Sequence, residues 1–435
     1  MSTFVKYQYL LTLSAPPRSD TFDVLIIGAG AAGLMAAGRA AALGARVLLL
    51  EKMERAGRKL LITGKGRCNI TNDAPLEEFY EHIFPHGRFL KHAFNAFPPA
   101  QLVSLLNQLG LDTVVERGGR VFPASGKAAD VVNALMKWVE QGGVKAEYGW
   151  RAEELLIKDQ QVQGIQIRSR DTTRVLAAKK IILCVGGQSY PGTGSTGDGY
   201  AIALGAGHRI ITPHPALVPL VTEGDTAGKM KGLLLKNVNA SLWVNGKKVK
   251  DEFGEMSFAD FGLDGPIILT LSRQAVDALR AKNKVEISID LKPALDHEKL
   301  DMRLRRDLDT DGKARIYFLL KGLLPMQMIP VFLEKTALDV DKACHQLSGK
   351  ERKSILHLLK DFRFQVSGFR SFNEAIVTAG GISTEEVSSK TMESKLVKGL
   401  YFAGEILDLD ANTGGFNLQI AFSTGWLAGT AAAGD

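Results

Sequence analysis

Cysteine is scarce in this 435-residue chain: Cys68, Cys184 and Cys344 stand far apart. An odd number at such spacings excludes a disulfide framework and offers no zinc motif, so no metal site is expected. Thiols kept in this form point to a reducing compartment, the cytoplasm. Long apolar runs are also missing. No stretch reaches the roughly 18 residues that a membrane-crossing helix needs. The N-terminal MSTFVKYQYLLTLSAPPRSD holds one brief apolar patch, Tyr9 to Leu13, before Pro16 and Pro17. A secretory signal needs a longer apolar core and a small-residue cleavage site, so residues 1–21 read as a tail.

The length points to two or three domains with ample core material. The net charge is +7, and it is unevenly spread. Residues 371–435 hold eight acids and three lysines, which leaves about +12 for everything before them. Such an excess attracts nucleic acid through phosphate contacts, although a merely soluble basic surface has the same count.

What is abundant is glycine, and the stretch Phe22 to Glu51 shows why. Asp23 to Ile27 is an apolar run with no polar face, as in a parallel strand buried on both sides. Gly28, Gly30 and Gly33 follow in G-x-G-x-x-G spacing, then an Ala-rich helix with Ala31 and Ala32 in its first turn, then the apolar run Arg46 to Leu50. Glu51 closes that second strand at the distance where a dinucleotide site places its ribose-binding acid. Gly28 permits the tight turn, Gly30 lets a pyrophosphate approach the backbone, and Gly33 lets helix and strand pack closely. The helix N-terminus offers unpaired N–H groups and a partial positive charge to phosphates. Glu51 would repel a 2′-phosphate, which favours FAD or NAD over NADP at this position.

Residues 52–72, KMERAGRKLLITGKGRCNITN, combine Gly57, Gly64 and Gly66 with Lys52, Arg55, Arg58, Lys59, Lys65 and Arg67 around one apolar triplet. Neither a strand nor a helix suits this pattern. It reads as a loop wrapped round a flat anionic ligand, with Cys68 and Asn69 at its end.

Further on, residues 76–110 show helical spacing and Leu111 to Glu116 a strand. An amphipathic helix spans Ala128 to Gln141 and stops at Gly142-Gly143. Val144 to Ile157 and Val162 to Ile167 read as antiparallel strands, and Lys180 to Val185 as a buried strand ending in Gly186-Gly187. A second G-x-G-x-x-G, at Gly192, Gly194 and Gly197, lacks an acid-tipped strand after it and is taken as a decoy. Short β-like runs from about Ile210 suggest a small barrel. Residues 294–360 carry leucine at helical spacing, with basic points at Arg303, Arg305, Arg306, Lys350, Arg352 and Lys353. These fit a solvated face or a polyanion-binding surface.

From Asn373 the α/β texture returns. A strand over Gly399 to Ala403 is closed by Gly404-Glu405, and Asp408 and Asp410 lie beyond it. Thr413-Gly414-Gly415 opens a helix, Asn417 to Ala432, rich in small residues. A strand ending in an acid and a Gly-opened helix suit a second phosphate–ribityl contact and a dipole aimed at a flavin pyrimidine. Such a distant second half is what FAD requires and NAD does not.

Residues 57–72 (GRKLLITGKGRCNITN), 118–129 (GGRVFPASGKAA), 254–273 (GEMSFADFGLDGPIILTLSR) and 391–419 closely resemble the BaiN/RdsA-type NAD(P)/FAD-dependent oxidoreductases, also described as aminoacetone oxidase-like flavoproteins. The likeness runs from Phe22 to near the C-terminus. It implies an α/β fold: a Rossmann-like FAD-binding domain built from both chain ends (22–206 and 370–435), with an inserted β-barrel (207–293) and helical subdomain (294–369). Carried over by motif, the pyrophosphate falls at Gly28, Gly30, Ala31, Ala32 and Gly33, and the AMP ribose at Glu51 and Lys52. The wrapping loop spans Arg58, Lys59, Gly64, Lys65, Gly66, Arg67, Cys68 and Asn69. Ala152, Gly186 and Gly187 add mid-chain contacts. Gly404, Glu405, Asp408 and Gly415 come from the C-terminal half, with Asn417, Leu418 and Gln419 at the isoalloxazine edge. Two departures stand out: Cys184-Val185 where Ala-Thr is usual, and Ile420 where an aromatic is common.

The resemblance implies NAD(P)H-dependent reduction of a conjugated C=C bond, with NADH or NADPH a transient reductant. One branch is linked to bile-acid enones, another to dihydrouridine in bacterial large-subunit ribosomal RNA. The basic insert favours RNA, whose uridine would be flipped out to take hydride at C6 and a proton at C5. Cys68 is the candidate proton donor, against a plain packing role. A small-molecule oxidase or enone reductase, and a non-catalytic redox sensor, are the competing functions.

Overall fold

The computed structural model of the protein describes residues 22–310 and 312–434, so the expected tail at 1–21 lies outside the described residues. Val24–Ile27 is the centre of a five-stranded parallel sheet, flanked by Val47–Glu51 and Lys145–Tyr148 on one side and by Ile181–Leu183 and Leu400–Phe402 on the other. Its four side chains are all buried, which is why the run carries no polar face. The first helix, Ala31–Ala42, and the last, Phe416–Ala433, pack against each other. Small residues set their separation. A Cβ on Gly425 would meet the Ala32 carbonyl oxygen at 2.3 Å, and one on Gly429 the Ala36 carbonyl oxygen at 2.5 Å. Residues some 390 positions apart thus form one layer, and the α/β domain is built from both ends of the chain.

The helix over Ala128–Gln141 has the limits its periodicity predicts. Val144 to Ile157 is instead two strands. Lys145–Tyr148 edges the parallel sheet, and Arg151–Lys158 joins a separate antiparallel sheet with Gln161–Ser169 and Thr172–Ala177. The break falls at Gly149, whose φ of +77° turns the chain. Residues 76–110 are not one helical run either. Leu76–Glu81, Lys91–Ala96 and Pro99–Gln108 are helices, but Ile83–Phe84 between them pairs with Asp410–Ala411.

Six strands close the inserted barrel, in the order Leu220–Thr222, Gly262–Asp264, Lys247–Ala259, Leu234–Val244, Val285–Asp290 and Phe362–Phe369. The last of these falls in the stretch expected to be helical. The helices His297–Thr310, Ile316–Lys321, Ile329–Thr336 and Gly349–Lys360 lie between the fifth and sixth strands. They share a core with the barrel: Leu300, Phe332 and Leu359 are buried in the same cluster as Ile287 and Phe362. Ile210–Ala216, expected within the barrel, instead pairs with Val377–Ile382. Among the described residues no helix is long and apolar enough to cross a membrane.

Candidate cofactor and substrate site

A cavity of about 1010 Å³ runs between the α/β domain and the barrel and takes residues from both chain ends. Gly28, with φ +99°, makes the turn out of the first strand, and a Cβ there would meet the Cys184 carbonyl oxygen at 2.5 Å. A Cβ on Gly33 would meet the Gly28 carbonyl oxygen at 1.8 Å, so helix and strand approach at a distance only glycine allows. At Gly30 an added Cβ would meet nothing within 4 Å. Gly30 caps the first helix without a side-chain hydrogen bond, and Ala31 and Ala32 line the cavity above it. First-turn N–H groups have no partner within their own helix, so they supply donors for an anion here.

Glu51 is tied down by the backbone. Its Oε2 accepts from the Ala29 N–H at 2.8 Å and its Oε1 from the Met53 N–H at 2.9 Å. Lys52 Nζ donates to Thr196 Oγ1 at 2.6 Å and pairs with Asp198 Oδ2 at 2.8 Å. Burial pushes the Asp198 carboxyl up, but hydrogen bonds from Lys52 and Thr196 outweigh it and hold the group below the usual range. The second glycine motif, taken as a decoy for a nucleotide fingerprint, therefore borders the same site. Gly194 and Asp198 line the same cavity, because the turn at Pro191–Thr193 brings them against Lys52 and Met53.

The segment expected as a loop contains a short helix, Arg58–Ile62, and a 3-10 turn, Thr63–Gly66, with Gly57, Gly64 and Gly66 at positive φ around them. Arg58, Lys59, Gly64, Lys65, Arg67 and Asn69 line the cavity, as do Ala152 and Gly186. Asn69 Oδ1 is buried and has no hydrogen-bond partner. From the C-terminal half come Gly404, Glu405, Gly415, Asn417 and Leu418. The Asn417 amide accepts from Ala411 N and donates to Ala411 O, which fixes the segment before the last helix.

Six of the expected residues are off the wall. Gly33 packs beneath it, and Gly66 is exposed beside it. Gly187 abuts Thr378, where a Cβ would come within 2.4 Å of Oγ1. Asp408 is buried, which pushes its carboxyl up. Gln419 is wholly buried and bonded to Thr71, Phe97 and Ser423, so it braces the last helix rather than edging a ring. Cys68 is also wholly buried, and burial pushes its thiol up to about 11 despite a hydrogen bond with Thr63. A proton donor must reach the reacting atom, so this placement gives Cys68 the packing role.

The basic points of the insert are partly offset: Arg303 and Arg306 share Asp307, and Arg305 and Arg352 share Asp301. The exposed cavity-lining cations lie elsewhere, at Arg55, Lys65, Arg117 and Arg120, with Arg151 paired to Asp198. The sequence reading also missed Asn72, His82, Phe253 and Phe416 as wall residues. Asn72 and Phe416 lie inside the motifs 57–72 and 391–419, and Phe253 immediately precedes GEMSFADFGLDGPIILTLSR, but no motif carried a chemistry that singled these side chains out.

A sequence model of the HI0933-like protein Rossmann domain matches residues 22–431. The chain belongs to that family. Its relatives include a 3-dehydro-bile acid delta(4,6)-reductase of Clostridium scindens, 32% identical over 94% of this chain and 98% of that protein. A ribosomal RNA dihydrouridine synthase of Escherichia coli is 30% identical over 94% of this chain and 97% of that protein. Among solved structures, the fold resembles a 3-ketosteroid delta1-dehydrogenase from Sterolibacterium denitrificans (TM-score 0.52, 14% identity, 95% of this chain and all of the other). It also resembles a flavocytochrome c3 fumarate reductase (TM-score 0.50, 18% identity, 99% of this chain and 80% of the other). The BaiN/RdsA-type resemblance and this family are the same, and its fold is a Rossmann-type FAD-binding domain with a closed barrel. The wall fits that cofactor: a glycine cradle under an uncapped helix, an acid at the end of the second strand, and an unpartnered amide oxygen at Asn69.

Proposed function

We propose that this FAD-dependent oxidoreductase reduces the conjugated C=C bond of uridine to dihydrouridine in ribosomal RNA, using NADH or NADPH. The observation that carries the RNA reading is the exposed cation group at Arg55, Lys65, Arg117 and Arg120 on a cavity that also exposes Phe253. Among the described residues Arg55, Lys65 and Arg117 make no ion pair, so their charge is available to phosphates. An exposed aromatic beside such cations offers a stacking face to a base taken out of its helix. The relative named as a ribosomal RNA dihydrouridine synthase agrees with this assignment.

Bound FAD supplies the hydride chemistry, as cofactors do. The protein supplies the rest. The first helix N-terminus would hold the pyrophosphate, Glu51 the AMP ribose, and Asn69 Oδ1 would accept from an N–H or hydroxyl of the cofactor. Lys59 and Glu405 would face the ribityl side, and Asn417 keeps the segment before the last helix in place. Barrel strands supply part of the cavity wall, at Asn237, Phe253 and Gly254.

A second reading is favoured by the apolar wall made of Leu217, Ile267, Leu269 and Ile376, which suits a flat ring ketone such as a bile-acid enone. Ribosomal RNA from cells lacking the protein separates the two. The RNA reading expects one dihydrouridine to disappear and to return when the pure protein and NAD(P)H act on transcribed RNA. Intact modification together with steroid-enone reduction in vitro would favour the second. Oxygen consumption with amines or NADH, and neither reduction, would point to an oxidase.

A further inference from the structure

One side chain on the cavity wall has a built setting that none of the cofactor contacts requires. His82 closes the helix Leu76–Glu81, just before Ile83–Phe84 pairs with Asp410–Ala411. Asn412 extends that pairing. Its backbone N–H donates to the His82 carbonyl oxygen at 2.9 Å, and its Nδ2 donates to His82 Nδ1 at 3.0 Å. The imidazole stacks on Phe416, the first residue of the last helix, with centroids 4.3 Å apart and planes 21° from parallel. Phe416 is held in turn edge-on by Phe79 at 4.8 Å. The ring is thus fixed from two sides, and it lines the cavity beside Thr413 and Gly414.

With the Asn412 amide nitrogen facing the ring and its Oδ1 left buried without a partner among the described residues, the hydrogen bond assigns the tautomer. Nδ1 accepts, so the single proton of a neutral ring sits on Nε2, which makes no hydrogen bond among the described residues. The charged groups around the ring are Glu78 and Glu81 from its own helix and Lys250 and Glu252 from the barrel. Burial, with help from Lys250, lowers the imidazole pKa, so the ring is neutral at pH 7.

We propose that His82 Nε2–H donates to the carbonyl oxygen conjugated with the C=C bond being reduced, a role that rests on the reductase reading. In that reaction the β-carbon accepts a hydride, with the reduced flavin as donor and the oxidised flavin as product. The C=C electron pair moves onto the carbonyl oxygen as an enolate, and the α-carbon then takes a proton from solvent as the carbonyl re-forms. Charge develops on that oxygen, so a fixed N–H donor there stabilises the transition state more than the ground state. Uridine and a 3-oxo-4-ene both carry this unit, and one donor serves either.

The test uses FAD-loaded wild type, His82→Ala and His82→Asn. Each is reduced anaerobically with dithionite and mixed with transcribed ribosomal RNA or with a 3-oxo-4-ene steroid. Flavin reoxidation is followed per bound flavin. His82→Ala is expected to slow it on the order of 10²-fold, and His82→Asn, which keeps an N–H, to restore part of the rate. Independently of turnover, ¹⁵N NMR of the wild-type holoprotein is expected to show the His82 ring neutral and protonated at Nε2. Equal rates in wild type and His82→Ala, or the ring proton on Nδ1, overturns the role of His82 alone. A wild type reoxidised by neither acceptor overturns the reductase reading and this role with it.

Discussion

Lys59 Nζ lies 2.6 Å from Glu405 Oε2, across 346 residues of chain. Ser189 joins them, accepting from Lys59 at 2.6 Å and donating to Glu405 Oε1 at 2.6 Å, and the Thr378 N–H donates to the same oxygen at 2.9 Å. Four distant segments therefore meet in one polar knot on the cavity wall. Glu405→Gln keeps the shape and removes the charge. It is expected to cost about 1–3 kcal/mol in urea unfolding, and to weaken FAD retention in gel filtration. Unchanged stability would mean that the pair is solvent-screened.

The helix crossing is equally specific. Gly425→Ala forces a Cβ toward the Ala32 backbone, which has no flexible end to move aside. Destabilisation of roughly 1–3 kcal/mol is expected, with a lower flavin-to-protein ratio because Ala32 lines the cavity. Thermal melting with and without added FAD measures both.

Cys68→Ala tests the packing role. Turnover within about twofold of wild type is expected, with a stability loss on the order of 1 kcal/mol from the lost buried atom. The intact folded protein should also resist thiol reagents at neutral pH, since a thiol at about 11 is almost wholly protonated there. Loss of turnover with FAD still bound would restore the donor role.

Asp410 gives a pH signature. Its carboxylate is buried against Arg273 at 2.7 Å, yet burial outweighs the guanidinium and lifts its pKa from the ordinary 3.8 to about 6. A carboxyl raised on folding binds its proton more tightly in the folded state. Its stabilising contribution is therefore full below about pH 4 and is lost as pH rises through about pH 6. The stability difference between wild type and Asp410→Asn should shrink, or turn against wild type, across that window. Urea unfolding at a series of pH values reads it directly, and a difference that grows with pH would refute the assignment.

The exposed cavity-lining cations make the RNA reading quantitative. Lys65→Ala with Arg117→Ala should weaken binding of transcribed ribosomal RNA, and should lower the slope of log affinity against log salt by about 2. A slope unaltered by both changes would place the phosphate contacts elsewhere.

Local pattern alone carried the strand, glycine turn, helix and terminal acid from Val24 to Glu51, because each step is dictated by neighbours a few residues away. The helix at Ala128–Gln141 was legible for the same reason, its apolar stripe being a property of its own sequence. Other features depend on partners that no local window contains. Phe362–Phe369 is a strand because the barrel needs a sixth edge to close, although helix-forming sequence leads into it. Gln419 looked like a cofactor contact from its place in the motif, but Thr71 and Phe97 claim its amide. Gly194 belonged to a glycine motif taken as a decoy, yet the turn at Pro191 carries it and Asp198 to Lys52. His82 was one histidine among eight until Asn412 and Phe416, more than 300 residues on, fixed its ring. Sequence by itself determined the dinucleotide turn and the kind of domain around it, since backbone conformation and hydrophobic period act over short range. Which side chains face the cavity was decided only by tertiary structure, because burial and hydrogen-bond partnership arise between segments that the chain keeps far apart.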